Sequence, residues 1–310
     1  MTTERGAVPR WFVFTVFAVV CWGLWAVISK LIGETVTAAQ SQALSTLGLL
    51  PVMVALGRMK TVEPVGGERR RGVVLAFMAG ILTCVGNVAY YHALNVGGKA
   101  STVVPLTALY PLVTIGLAVV LLGERLNRIQ AVGIGLSILA IYLFNVTSVV
   151  GVMNPWLFYA LVPIGLWGVS GLFQKLSTNH VSGERSALWF LWAFVPVGVG
   201  LMMYEPLKAG LVWRTWLLVV ALGLFFSLGN FAILLAFAHG GKASIIAPVA
   251  GLYPLVSVPI AIVFLGEKIS LREGVGIGVA LVSVLALAME SPIPASETET
   301  EAEANGRCND

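Results

Sequence analysis

The stretch Gly86–Ile134, GNVAYYHALNVGGKASTVVPLTALYPLVTIGLAVVLLGERLNRIQAVGI, returns without a gap at Gly229–Ile277 as GNFAILLAFAHGGKASIIAPVAGLYPLVSVPIAIVFLGEKISLREGVGI. The offset is constant: 143 residues separate Lys99 from Lys242 and Glu124 from Glu267 (242 − 99 and 267 − 124). Roughly half of the aligned positions are identical, far more than shared hydrophobicity gives by chance. A second match pairs WGLWAVISKL from Trp22 with WGVSGLFQKL from Trp167, at an offset of 145 (175 − 30 for its lysines). The chain is therefore one unit written twice, with a small length change between the copies.

The medium in which that unit folds follows from composition. The chain has 310 residues, 58% hydrophobic and only 11% charged. A soluble domain carries about 25% charged residues, so an ordinary soluble globule is excluded and a polytopic membrane protein is indicated. The net charge of +4 is small, and no run of bases is interleaved with aromatics, so no nucleic-acid partner is expected. Cys21 and Cys84 lie in apolar runs and Cys308 in the tail, which gives neither a disulfide framework nor metal-ligand spacing. No cofactor and no metal are expected.

A spanning helix needs roughly 20 mostly apolar residues. The segments that qualify in the first half are Trp11–Leu31, Ala38–Leu56, Gly72–Leu94, Ala100–Leu122 and Ile129–Asn145. In the second half they are Trp156–Leu176, Ala187–Met203, Trp216–Ala238, Ala243–Leu265 and Gly274–Met289. The expected fold is all-α, with ten transmembrane helices forming two five-helix repeats. Residues 1–147 form the first repeat, 148–155 a linker and 156–290 the second repeat. Residues 291–310 read as a disordered acidic tail. The first apolar run is too long for a signal peptide and lacks a small-residue cleavage site, so it reads as a retained helix.

Lysine and arginine placement sets the orientation. Arg58, Lys60, Arg69, Arg70, Arg71, Arg125 and Arg128 fall on one side if the N-terminus is cytoplasmic. An even helix count returns the C-terminus to the same side, in the inner membrane of a bacterium. Each repeat holds an odd number of helices, so matching helices cross in opposite directions. Such inverted repeats, related by a two-fold axis in the membrane plane, characterise secondary transporters.

At this point the motifs resemble those of EamA-type members of the drug/metabolite transporter superfamily. The carrying features are WG in the first helix of each half with a lysine near its end, a proline-bearing fourth helix, and LGE followed by a base, as LGERLN and LGEKIS. The resemblance spans both halves. It implies ten helices, a cavity lined mainly by the first, third and fourth helices of each half, and export of small metabolites.

The residues that could face a solute come in matched pairs. Trp22 and Trp167 could wall the cavity or merely pack. Asn87 and Asn230 carry amides that are costly in hydrocarbon without partners. Tyr110 and Tyr253 sit mid-helix beside a proline. Tyr90, Tyr91 and His92 face Ile233, Leu234 and Leu235 in the other copy, an asymmetry through which specificity could enter; Tyr91 is a substrate-binding candidate. Pro105, Pro111, Pro248 and Pro254 should kink the fourth and ninth helices, because proline removes an N–H and frees the carbonyl four residues earlier. Pro111 would free that of Thr107 and Pro254 that of Ala250, which suits a hinge or a static kink. Glu124 and Glu267 read as parts of a structural motif ordering tight connections, with capping-box spacing at Ser270/Glu273 and a weaker version at Asn127/Gln130.

Lys30, Lys99, Lys175 and Lys242 form two symmetric pairs. Lys99 and Lys242 open helices, where a cation opposes the macrodipole but where an anion is welcome. Two readings stay open: each lysine snorkels to its interface, or the four draw a carboxylate or phosphate toward opposite mouths of the cavity. No carboxylate lies mid-span, which counts against a proton-coupled exporter of cationic drugs. The sequence thus points to a transporter, not an enzyme. Its solute would be a small polar metabolite, amino-acid-like or bearing an anionic group, moved by export or exchange. Its partners would be the lipid bilayer and that solute, with the chain acting as monomer or homodimer. A cationic-drug/proton exporter and a non-transporting scaffold are the alternatives.

Overall fold

The computed structural model describes residues 9–33, 35–122, 127–145, 155–207 and 210–289. Glu124, most of the proposed linker and the acidic tail lie outside these residues. In the first half, α1 spans Arg10–Gly33, α2 Ala38–Arg58, α3 Arg69–Asn95, α4 Ala100–Thr107, α5 Pro111–Leu122 and α6 Arg128–Asn145. In the second half, α7 spans Pro155–Thr178, α8 Gly183–Trp192, α9 Phe194–Tyr204, α10 Trp213–Ala238, α11 Ala243–Ala250, α12 Pro254–Phe264 and α13 Leu271–Ala288. Among the described residues, nine helical stretches are long and apolar enough to cross a membrane, and Arg128–Leu143 is a shorter apolar helix. All ten expected spans are thus present as helices, in the expected order.

Helix starts are set by local chemistry. The Thr37 hydroxyl accepts from Gln40 N–H at 3.2 Å while Gln40 Oε1 accepts from Thr37 N–H at 3.2 Å. Ser270 and Glu273 repeat this box at α13, with bonds of 3.2 and 2.7 Å. Asn127 and Gln130 do so at α6, with bonds of 3.1 and 2.7 Å. Each box satisfies two backbone donors that the first helical turn leaves orphaned.

Three spans are broken in two. The fourth breaks between α4 and α5, and the ninth at the matching place between α11 and α12. The seventh breaks at Ala193, which the repeat alone does not foretell; Pro196 cannot donate to the carbonyl of Trp192. At the matched breaks the freed carbonyls do not stay free. Thr107 O accepts from Tyr110 N–H at 3.2 Å, and Ala250 O from Tyr253 N–H at 3.3 Å. A tight three-residue turn re-satisfies each carbonyl, as hydrocarbon requires.

The two halves pack with two-fold symmetry. The α3 helix lies along α7 as α1 lies along α10, α8 meets α3 as α2 meets α10, and α5 rests on α7 as α12 rests on α1. The α6–α13 pair is its own counterpart. There Ser137 Oγ and Ser283 Oγ lie 2.6 Å apart, one donating to the other, and both lie within hydrogen-bonding distance of Gly133 O, at 3.0 and 2.9 Å. Backbones touch where glycine permits: a Cβ on Gly223 would collide with Ser45 O, and one on the matching Gly80 with Phe190 O.

Candidate functional site

The matched breaks bring Tyr110 and Tyr253 to the middle of the molecule. Tyr110 OH donates to Ala247 O at 3.1 Å, and Tyr253 OH to the matching Val104 O at 3.3 Å. Tyr253 OH also lies 3.1 Å from Thr107 Oγ1. Each ring stands edge-on to an indole of the opposite half. Trp22 meets Tyr253 at 6.3 Å between centroids, and Trp167 meets Tyr110 at 6.4 Å. The indole nitrogens in turn lie against the glycine before each asparagine. A Cβ on Gly229 would sit 2.5 Å from Trp22 Nε1, and one on Gly86 2.6 Å from Trp167 Nε1. The repeated Gly-Asn pair therefore has two jobs. Glycine admits the tryptophan, and asparagine is left beside it.

These six residues, Trp22, Asn87, Tyr110, Trp167, Asn230 and Tyr253, line a central cavity of about 580 Å³, open mouth included. Trp25, Thr83 and Gln174 add to its wall, together with the apolar Phe226, Ile233 and Phe237. No Lys, Arg, His, Asp or Glu among the described residues lines it. Its polar side is a short network on α3 and α7. Thr83 Oγ1 lies 2.6 Å from Ser170 Oγ, which donates to Ala79 O at 2.9 Å and accepts from Gln174 Nε2 at 3.3 Å.

The cavity is not centred on the two-fold axis. It reaches Gln174 on α7, Phe237 on α10 and Ile246 on α11, whereas their counterparts Ser29, Leu94 and Val103 do not line it. At that other end the space is filled. Trp25 stacks on Tyr90 with centroids 4.9 Å apart and donates from Nε1 to Tyr91 OH at 3.0 Å. Ser29 Oγ donates to Tyr90 OH at 3.3 Å. Both tyrosines are buried. Tyr91 is therefore part of a plug, not of the cavity wall. His92 also lies off the cavity, its ring 4.2 Å from that of Tyr159.

None of the four lysines lines the cavity. Lys30 Nζ donates to Leu94 O at 3.2 Å and to Gly98 O at 3.0 Å, closing the C-terminus of α3. Lys99 Nζ contacts Glu273 Oε1 at 2.7 Å and Lys268 O at 2.9 Å. The anion at the N-terminus of α4 is the protein's own: Glu267 accepts from Ala100 N–H at 2.8 Å and Ser101 N–H at 2.7 Å. Glu267 is thus a cap that one half places on a helix of the other. Pro105 and Pro248 lie inside α4 and α11, and Pro111 and Pro254 begin α5 and α12.

A second tie, not anticipated from the sequence, lies in the 59–68 connection. Glu63 pairs with Arg185 Nε at 2.7 Å and accepts from Ser182 N–H at 3.0 Å, which fastens this connection to the start of α8.

Comparison with known proteins agrees with this architecture. Residues 9–146 and 154–289 each match the model of the EamA-like transporter family. The chain is 27% identical over 129 residues to the uncharacterized protein MJ1333.1 of Methanocaldococcus jannaschii, a match covering 42% of this chain and 91% of that protein. That relative is about one repeat long, as befits a chain built from two copies of one unit. A solved crystal structure superposes with a TM-score of 0.65 and 16% sequence identity, over 90% of this chain and 96% of the other, and shares the fold.

Proposed function

Because this chain belongs to the EamA-like transporter family, we propose that it is a secondary transporter moving a small polar metabolite by alternating access, in export or exchange across a bacterial inner membrane. The observation that carries the reading is the off-centre cavity. It extends toward the α7 and α11 end while Trp25, Tyr90 and Tyr91 fill the opposite end, and two-fold packing relates the elements that form both. An inverted repeat has a second arrangement in which the ends exchange roles around the same central residues. With the N-terminus cytoplasmic, the open end faces the cytoplasm, ready to load a solute for export.

The engagement of Lys30 and Lys99 by carbonyls and carboxylates favours a solute whose charges balance, such as a zwitterion or a neutral molecule, over a simple anion. The test is counterflow in proteoliposomes loaded with a broad metabolite panel. Saturable counterflow of at least one small polar solute is expected. A panel with no counterflow from protein of verified fold would remove the transport reading.

A further inference from the structure

The residues lining the cavity hold unused hydrogen-bonding capacity of both kinds: the buried donors Trp22 Nε1 and Trp167 Nε1, and two acceptors. Asn87 Oδ1 and Gln174 Oε1 are buried and have no partner. Their residues are only 1% and 6% exposed, and both line the cavity. A buried acceptor without a donor costs about 1–3 kcal/mol, so native proteins rarely keep one without a use. Gln174 is held in place through Nε2, which donates to Ser170 Oγ at 3.3 Å, so its oxygen is the end left free. No hydrogen bond fixes the Asn87 amide to any described residue, so its donor and acceptor are both on offer.

We propose that the solute is an uncharged, planar molecule presenting an amide-type edge, with N–H and C=O side by side as in a primary amide, lactam or nucleobase. It is seated by Asn87 and Gln174 beside the central indoles. This inference rests on the transport reading and names its substrate class. A carboxamide with both ends free pairs with another such edge through two hydrogen bonds, and the Gln174 oxygen takes a further N–H. The aromatic rings of Trp22, Trp167 and Phe226 in the lining suit a flat apolar body. With no charged side chain among the described residues of the lining, a solute carrying net charge would lose its hydration without gaining a counter-charge.

The test is equilibrium dialysis of the purified full chain against labelled benzamide, benzylamine and benzoate, which share one ring and differ in the group presented. Benzamide is expected to bind at least tenfold more tightly than either charged probe. Gln174→Leu and Asn87→Leu should each weaken benzamide binding about tenfold while thermal unfolding stays level or rises, since each removes an orphaned acceptor. Gln174→Glu should turn the preference toward benzylamine. The proposal falls if benzoate or benzylamine binds the unaltered protein best, if no probe binds, or if the folded leucine variants hold benzamide unchanged. Benzamide binding without counterflow of any solute would keep this inference and remove transport. Counterflow of other solutes without benzamide binding would do the reverse.

Discussion

Replacing Glu267 by alanine should unlatch the closed end of the molecule. The Glu267 carboxylate holds two backbone donors at the start of α4, at 2.8 and 2.7 Å. Removing an N-terminal cap costs about 0.5–2 kcal/mol, and hydrogen bonds to a charged group contribute about 1.5–3 kcal/mol each. On the transport reading, water replaces these bonds once the end opens, so the net preference for the closed form is set near the lower range, about 2 kcal/mol. That corresponds to a roughly 30-fold change in the ratio of open to closed molecules. The neighbouring Lys99–Glu273 pair is weaker, because its side chains are 41% and 20% exposed. Screened pairs of this kind contribute at most about 1 kcal/mol, so Lys99→Gln should change the ratio no more than about fivefold. The reporter is Ser29→Cys in a chain whose native cysteines are replaced by alanine. Ser29 sits behind the plug and off the cavity, so its rate of reaction with a membrane-impermeant maleimide follows the open population. Glu267→Ala should raise that rate about 30-fold. A rate within threefold of the parent, together with a lower unfolding temperature, would show that Glu267 only caps a helix and would refute the latch.

Three further outcomes are expected. Gly86→Ala or Gly229→Ala drives a methyl into a buried indole edge, at 2.6 and 2.5 Å, and should lower stability by about 1–3 kcal/mol; an unchanged thermal unfolding midpoint in detergent would contradict the packing. Tyr91→Phe strands the buried Trp25 N–H now bonded at 3.0 Å. It should cost about 1–3 kcal/mol and speed Ser29→Cys labelling, and unchanged labelling would deny the plug a gating part. Pro111→Ala or Pro254→Ala supplies an N–H that competes with Tyr110 or Tyr253 for the Thr107 or Ala250 carbonyl, and should straighten the broken span. Slower counterflow is expected, whereas unaltered turnover would mark a static break.

Most of the architecture was legible because the repeat wrote it twice. Matched residues such as Trp22 and Trp167, Asn87 and Asn230, and Tyr110 and Tyr253 could be paired by eye, and each pair meets at the centre. Pairing passes over residues whose counterparts differ. Gln174 faces Ser29, Thr83 faces Phe226 and Trp25 faces Ser170, so none of these cavity residues stood out. Lys99 was ambiguous in the sequence for an electrostatic reason. A cation at a helix start opposes the macrodipole and invites the thought of an external anion. The anion came from about 170 residues away in the same chain, as Glu267 on α4 and Glu273 on Lys99, and no local spacing signals such a partner.

On the transport reading, the unmatched residues also bear on which arrangement the empty molecule prefers. If the halves were identical, the two end-closed arrangements would be equal in energy, and neither would be preferred. They share the indoles, amides and tyrosines at the centre and are unlike toward the ends. The closed end is filled by Trp25, Tyr90 and Tyr91, and their counterparts are Ser170, Ile233 and Leu234. Aromatic pairs contribute about 0.5–1.5 kcal/mol beyond their buried area, and the second arrangement has no such cluster to form at the opposite end. On the transport reading, the central symmetry keeps one site usable from both sides. The asymmetry of the ends biases the empty protein toward the form open at α7 and α11. A solute that repays a few kcal/mol of that bias is what turns the molecule over.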